Sequence, residues 1–299
     1  MNEGTDKSFD MTLPETAAAA PLVVTSPHSG AHYPADFLAA SALNAHDIRQ
    51  SEDMYVDSLF ADAPCLGVPL LAARFPRAYL DLNRAPYELE QKLFTDKLPD
   101  HIDTRSMRAA AGLGTVPRLV AENTPIYKTK LSYAEAEQRI EEIYKPFHAG
   151  LNGLLENLRN DFGYSVLLDA HSMPSQATQL SGRDEVDFVL GNRHGRACHP
   201  ALTEHVEAFL VARGWRVALN KPYAGGFITE QYGAPARGTH ALQIEINRAI
   251  YMDEASHQKS DGFNALRQDM AALIGHLTAG LPDLADVLCV TTPSHSAAE

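Results

Sequence analysis

The chain has 299 residues, 45% hydrophobic and 21% charged, and its Lys and Arg are outnumbered 25 to 38 by Asp and Glu. A formal net charge of -13 excludes the basic excess that nucleic-acid phosphates require. Cys65, Cys198 and Cys289 are odd in number, far apart and free of any CxxC pair, which argues against a disulfide framework or a thiolate metal site.

Residues 1–20 read as a flexible N-terminal arm. The stretch from Met1 to Thr12 is acidic and polar, unlike a secretory signal, and the apolar runs look far shorter than a membrane span. The expected location is the cytoplasm, with no membrane partner. Residues 21–290 are expected to form one α/β domain, and 291–299 a disordered tail.

The first predicted strand, Pro21 to Ser26, stops at the polar turn Pro27-His28-Ser29-Gly30. The segment from Asp53 to Ala61 has helical spacing, and Gly67 to Ala72 reads as a strand. Tyr79 to Leu82 is apolar and stops at Asn83-Arg84. Residues 85–130 are turn-rich and read as an excursion over the sheet. Residues 132–159 have the clearest helical periodicity, with a kink or break expected at Pro146.

Tyr164 to Leu168 reads as a strand running into Asp169-Ala170-His171-Ser172. Phe188 to Leu190 is short and apolar, Leu202 to Arg213 helical, and Trp215 to Leu219 strand-like. Pro222 to Gly226 is a loop, His240 to Ile246 alternates, and Phe263 to His276 is the last helix. Strands alternating with helices predict a mostly parallel or mixed central sheet with helices on both faces.

Four polar clusters end apolar strands, where sites of such folds lie. His28 is placed to bind zinc, and Gly30 would let the backbone pass close to a ligand. Asp169 and His171 share a strand face, so the carboxylate can fix the imidazole tautomer. Gln243, Glu245 and Asn247 share a face opposite Leu242, Ile244 and Ile246. A carboxylate there is costly unless paired or used, and Glu245 suits a general base. Arg84 offers a planar fork for a carboxylate, with Asn83 adding a donor. A third metal ligand is needed, and Glu52, Asp53 and Asp57 are the candidates, with Asp53 preferred. Asp53 and Asp57 would share a helix face.

His46, His101, His148, His205 and His276 read as surface residues, while His32, His194 and His240 lie nearer the clusters. The run from Arg183 to Arg196, which includes Arg193, could help neutralise an anionic substrate.

The stretches SPHSGAHYP, SEDMYVDSLF, YLDLNR, GLGTVPRLV, LLDAHSMPS, VDFVLGNRHG, NKPYAGGFITEQYG and ALQIEINRAIYMDE, in order from residue 26 to 254, resemble the N-formylglutamate amidohydrolase family. That family resembles the zinc carboxypeptidases and the aspartoacylase group in fold. The resemblance implies one zinc ion on His28, His171 and an acidic residue, with Glu245 as the catalytic carboxylate. It implies Asn83 and Arg84 as receivers of the α-carboxylate and an arginine, Arg84 among them, beside the developing oxyanion. Arg248 is expected to hold a side-chain carboxylate or to pair with Glu245, and Gly225-Gly226 to close over the pocket. The implied substrate is a small anionic N-formyl amino acid.

Two positions depart from the pattern. Ala31 stands where the wider relatives carry an acidic ligand, and Asn192 where family members reading VLGDR carry aspartate. The competing readings are a zinc hydrolase of another N-acyl amino acid or short peptide, a metal-free hydrolase using Ser29 or Ser172, and a non-catalytic binding protein.

Overall fold

The computed structural model describes residues 7–178 and 185–289. Seven strands form one mixed sheet: β1 (Phe9–Thr12), β2 (Leu22–Ser26), β3 (Leu70–Ala73), β6 (Ser165–Met173), β7 (Phe188–Gly191), β8 (Val217–Leu219) and β9 (Thr239–Asn247). Their order across the sheet is β1-β3-β2-β6-β9-β7-β8. Strands β3, β2, β6 and β9 run parallel, β1 is antiparallel on one edge, and β7 turns antiparallel to β9 with β8 beside it. Two small ribbons complete the strands, β4 (Leu119–Ala121) with β5 (Thr124–Pro125) and β10 (Met252–Asp253) with β11 (Gln258–Lys259).

Strand β1 corrects the expectation of a loose arm over residues 1–20. Residues 9–12 pair in register with β3, and the Phe9 ring packs edge-on against Phe147 at 6.0 Å. An apolar ring and an open sheet edge are enough to dock four residues that composition alone leaves unassigned. The expected tail beyond 291 lies outside the described residues.

The two faces of the sheet carry different helices. The short α1 (Ala35–Ala40), α2 (Val56–Leu59) and α3 (Met107–Ala110) lie in the early excursions. Helices α4 (Tyr133–Arg139) and α5 (Lys145–Phe162) bury Ala136, Phe147, Leu151 and Leu155 with Val23, Leu167 and Ala241 of the sheet. On the other face, α6 (Pro200–Ala212) and α8 (Phe263–Gly280) pack Leu202, Val206, Leu266 and Leu273 with Leu22, Val24, Leu168, Ala170 and Ile244. The short α7 (Phe227–Tyr232) covers the end of β9.

Expected and observed helices differ in two places. Residues 133–162 do not break at Pro146. A π-helical turn over Ile140–Tyr144 joins α4 to α5, and Pro146 falls in the first turn of the resumed α register, where its missing N–H is tolerated. The segment from Asp53 to Ala61 is helical only over Val56–Leu59, because Tyr55 takes φ 66° and Asp53 N–H donates to the His28 carbonyl at 3.0 Å. Asp53 therefore precedes the helix and does not share a helix face with Asp57.

Phe263–Leu288 is long and apolar enough by length and composition to cross a membrane, contrary to the expectation from apolar runs. Its Leu266, Met270, Leu273 and Leu277 are buried on the sheet, the pattern of a core helix.

The parallel strands position the site through their period of two. On β6 and β9 the side chains of Leu168, Ala170, Leu242, Ile244 and Ile246 enter one core. Asp169, His171, Gln243, Glu245 and Asn247 therefore project from the opposite face, near the carboxyl ends of the strands. The parallel register sets His171 directly beside Glu245.

Candidate metal centre and active site

His28 follows β2, Asp53 precedes α2 and His171 lies on β6, and all three are buried. Their ligand atoms lie within 4.8 Å of one another. Asp53 Oδ2 is 3.1 Å from His171 Nδ1 and 3.4 Å from His28 Nδ1. The far nitrogens face other carboxylates: His28 Nε2 is 2.7 Å from Asp81 Oδ1, and His171 Nε2 is 3.1 Å from Asp169 Oδ2. Each imidazole thus has its Nε2 turned to an acid and its Nδ1 turned to one shared point.

This donor set fits a divalent cation. Two imidazoles and a carboxylate, each imidazole backed by a carboxylate, are a common zinc-binding arrangement. His28 Nδ1 is buried and makes no hydrogen bond, an orphan that a cation would satisfy. Burial opposes charge on His171, yet Asp169, Asp53 and Glu245 hold its pKa well above the ordinary value. The pocket thus draws positive charge to this point. Burial works against an ionised Asp53, but its contacts with His171 and His28 and the charge of Arg248 lower its pKa well below the ordinary range.

The other two acidic candidates are engaged elsewhere. Glu52 pairs with Arg49 at 2.7 Å and accepts from the Tyr33 hydroxyl, while Asp57 accepts from Ser58. Neither is in the cluster. Asp53 is also steadied by Ser172, whose hydroxyl donates to its Oδ1 at 3.1 Å, and by Arg248, whose Nη2 donates to the same oxygen at 2.9 Å.

Glu245 is buried and accepts one hydrogen bond, from Gln243 Nε2 at 2.9 Å. Burial, with the Asp53 and Asp169 charges, pushes its pKa up to about 7 against the pull of His171 and Arg77. A carboxyl poised near neutrality can both take and return a proton.

These residues line one cavity of about 820 Å³, together with Arg77, Asn83, Arg84, Arg108, Arg248 and Tyr223. Gly225 and Gly226 line it too. Gly226 lies so close to Asn83 that a Cβ would sit 2.3 Å from Asn83 Nδ2, and its N–H donates to Gln243 Oε1 at 2.7 Å. Asn83 Oδ1 in turn accepts from Ile228 N–H at 2.7 Å. His148, expected at the surface, is half-buried and bridges the Leu82 carbonyl and the Tyr232 hydroxyl at 2.9 Å each, behind the Asn83-Arg84 turn.

Several expectations need correction. Arg193 does not line the cavity. It pairs with Glu230 at 2.6 Å and its Nη1 donates to the Gly225 carbonyl at 3.4 Å, so it braces the loop that lines the cavity. Arg183 lies outside the described residues. Arg248 does line the cavity, but no contact joins it to Glu245 among the described residues. Its three nitrogens go to Ser172, the Gln50 carbonyl and Asp53. Arg84 gives Nε to the Leu113 carbonyl and Nη1 to the Asn83 carbonyl, and its Nη2 stands 3.5 Å from Asp81. Gly30 is needed because a Cβ would meet the Phe75 carbonyl oxygen at 2.1 Å, so it admits another backbone and not a ligand. Asn192 lies outside the cavity lining and ties a turn together through Thr203, Gly195 and Asn220. His32 packs on Phe75, and His240 bonds the Leu288 carbonyl.

Two roles were missed. Asp81 is not among the expected site residues, yet it orients His28. Arg77 was not considered, yet its Nε donates to Asp81 Oδ2 at 2.9 Å at the cavity wall. The signal for Asp81 was its position at the end of an apolar run, beside Asn83-Arg84.

Neither candidate serine has an imidazole partner among the described residues. The Ser29 hydroxyl bonds only Ser26, and Ser172 is held by Asp53 and Arg248.

The family model for N-formylglutamate amidohydrolase matches residues 20–252. An N-formylglutamate deformylase from Pseudomonas putida is 33% identical over 237 residues, 78% of this chain and 82% of that protein. Another from Pseudomonas aeruginosa is 30% identical over 250 residues, 82% of this chain and 87% of that one. The crystal structure of an N-formylglutamate amidohydrolase from Ralstonia eutropha JMP134 superposes with TM-score 0.87 at 38% identity, covering 92% of this chain and 98% of that one. This chain belongs to the N-formylglutamate amidohydrolase family.

Proposed function

We propose that this chain hydrolyses the formyl amide of N-formyl-L-glutamate, or of a closely similar N-formyl amino acid, to formate and the free amino acid, and that its metal is one zinc ion. The observation that carries this reading is the meeting of His28, Asp53 and His171 around one point, with the buried carboxyl of Glu245 on the neighbouring strand. The names of the relatives support the substrate.

Zinc held by His28, Asp53 and His171 would polarise water and the formyl carbonyl. Glu245 takes the proton that water loses on attacking the formyl carbon, and returns it to the departing nitrogen as the C–N bond breaks. Its elevated pKa suits both transfers. Asp81, 2.7 Å from His28 Nε2, holds that imidazole in the tautomer that leaves Nδ1 free, while His171 Nε2 stands 3.1 Å from Asp169 Oδ2 and 3.2 Å from the Asn83 amide nitrogen.

Arg77 is the arginine better placed beside the developing oxyanion. Burial opposes its charge, but Asp81, Asp53 and Glu245 together raise its pKa, so it lies in the field of the proposed metal ligand Asp53 and the proposed base Glu245. Arg84 keeps Nη2 hydrogens for the substrate α-carboxylate, and Asn83, whose Nδ2 stands 3.2 Å from His171 Nε2, would add its other amide hydrogen. Arg248 acts through Asp53 as a positioning residue.

A cavity of about 820 Å³ has room for more than N-formylglutamate, which favours testing larger acyl groups and short peptides as the second reading. The test is product release from a panel of N-formyl and N-acetyl amino acids and formyl-dipeptides. Highest kcat/KM on N-formyl-L-glutamate supports the proposal. A higher value on an acetyl or peptide substrate replaces the substrate and keeps the site.

A further inference from the structure

Four arginines line the cavity, and three are engaged. Arg248 gives all three nitrogens to neighbours, Arg77 is paired with Asp81, and Arg84 is tied to two carbonyls. Arg108 differs. It lines the cavity, is half-buried, and makes no hydrogen bond or ion pair among the described residues.

Its setting is built. Arg108 belongs to the single turn of α3, which is capped by the Ser106 hydroxyl accepting from Ala109 N–H at 3.0 Å. Ser106 is in turn bonded to Glu88, and Asp103 accepts from the N–H groups of Arg105 and Ser106. The Arg108 carbonyl accepts from Leu113 N–H at 2.9 Å, and the Leu113 carbonyl accepts from Arg84 Nε at 2.9 Å. One short turn therefore fixes Arg108 and Arg84 to the same wall. The neighbouring Met107 is left 89% exposed, so the turn keeps its arginine, not its apolar side chain, at the cavity.

The two guanidinium groups act on each other. Burial, together with the charges of Arg77 and Arg108, lowers the Arg84 pKa to about 10 against the pull of Asp81 and Glu88. Glu88 and Glu122 do not pair with Arg108 among the described residues. Glu88 is turned to Ser106, and Glu122 lies on the turn between β4 and β5. An anionic group entering between Arg84 and Arg108 would gain from both charges and give Arg108 its missing partner.

We propose that Arg108 receives the side-chain carboxylate of a dicarboxylic substrate, leaving Arg84 and Asn83 for the α-carboxylate, and so sets the preference for an acidic over an amide side chain. This rests on the reading of the site as an N-formyl amino acid hydrolase.

The test compares wild type, R108Q and R108K in the metal-loaded protein. Rates are measured on N-formyl-L-glutamate and N-formyl-L-glutamine, and calorimetry measures binding of L-glutamate and L-glutamine. A charged hydrogen-bonded pair supports a loss of roughly 10–100-fold. The proposal expects R108Q to lower the glutamate-over-glutamine preference by that factor, mainly through KM, with R108K recovering part of it. If wild type prefers N-formyl-L-glutamate and R108Q keeps the same preference, the role of Arg108 is overturned and the activity stands. If wild type turns over neither compound, the activity reading fails, and the calorimetry decides Arg108 by itself. A glutamate preference in binding that disappears in R108Q supports it, and equal binding of the two amino acids by wild type overturns it.

Discussion

His28 Nε2 lies 2.7 Å from Asp81 Oδ1, so the ring is held with its other nitrogen, Nδ1, toward Asp53. Asp81 is itself kept ionised. Burial opposes this, but the charges of Arg77, Arg84 and His28 lower its pKa well below the ordinary range. Carboxylates behind metal-binding imidazoles typically contribute ~10–100-fold in metal affinity. Asp81→Asn should weaken zinc binding by that order, measured by competition with a chelating dye. Asp169→Asn should do the same through His171. Unchanged affinity in both variants would remove the orienting role.

Glu245→Gln separates binding from chemistry. The variant should retain zinc stoichiometrically and lose turnover by ~10²–10⁴-fold, the usual scale for a general base. Metal content by elemental analysis and formate release by a coupled assay check the two halves.

The same variant has a second signature in the metal-free protein. The Glu245 pKa is raised from 4.5 to about 7, so the folded state binds the proton more tightly than the unfolded chain. Stability from this group is present below pH 4.5 and is lost as pH rises through about 7. Melting temperatures of the metal-free wild type and Glu245→Gln should therefore converge at low pH and diverge above neutrality, with the variant higher. Parallel curves would contradict the burial cost assigned to Glu245.

How much of this was legible in the sequence depends on the range of the interaction. His28, His171 and Glu245 end apolar strands, so their period and burial could be read locally. The two sheet faces followed from the alternation in Gln243 to Asn247. The pairing of Asp81 with His28 spans 53 residues, and that of Arg248 with Asp53 spans 195, so no local pattern reports them. Asp53 is the acidic candidate that meets the histidines, but the helix face it was expected to share with Asp57 does not form, because Tyr55 is left-handed. Arg193 is engaged by Glu230, 37 residues on, and by the Gly225 carbonyl, 32 residues on, partners that no local pattern reports.

Gly226→Ala tests the packing of the loop on Asn83. The added methyl would sit 2.3 Å from Asn83 Nδ2 and 2.6 Å from Asn83 Oδ1, and the Ile228 N–H holds that oxygen in place at 2.7 Å. Overpacking of this kind costs about 1–3 kcal/mol. Denaturant titration should show that loss, and kcat/KM should fall as the Asn83 amide is displaced.

His148 predicts an acid limit to stability. Burial lowers its pKa from 6.5 to about 4 while it bridges Leu82 and Tyr232. Its contribution is present above pH 6.5 and is lost as pH falls through about 4, with a slope of up to about 1.4 kcal/mol per pH unit. Unfolding free energies across that window should fall more steeply in wild type than in His148→Gln.

The most direct test of the central claim is formate release from N-formyl-L-glutamate by protein stripped of metal, before and after addition of one equivalent of zinc. The account predicts negligible release before addition and recovery of turnover that saturates at one zinc per chain. Full activity in the stripped protein, or none after zinc is bound, would contradict it.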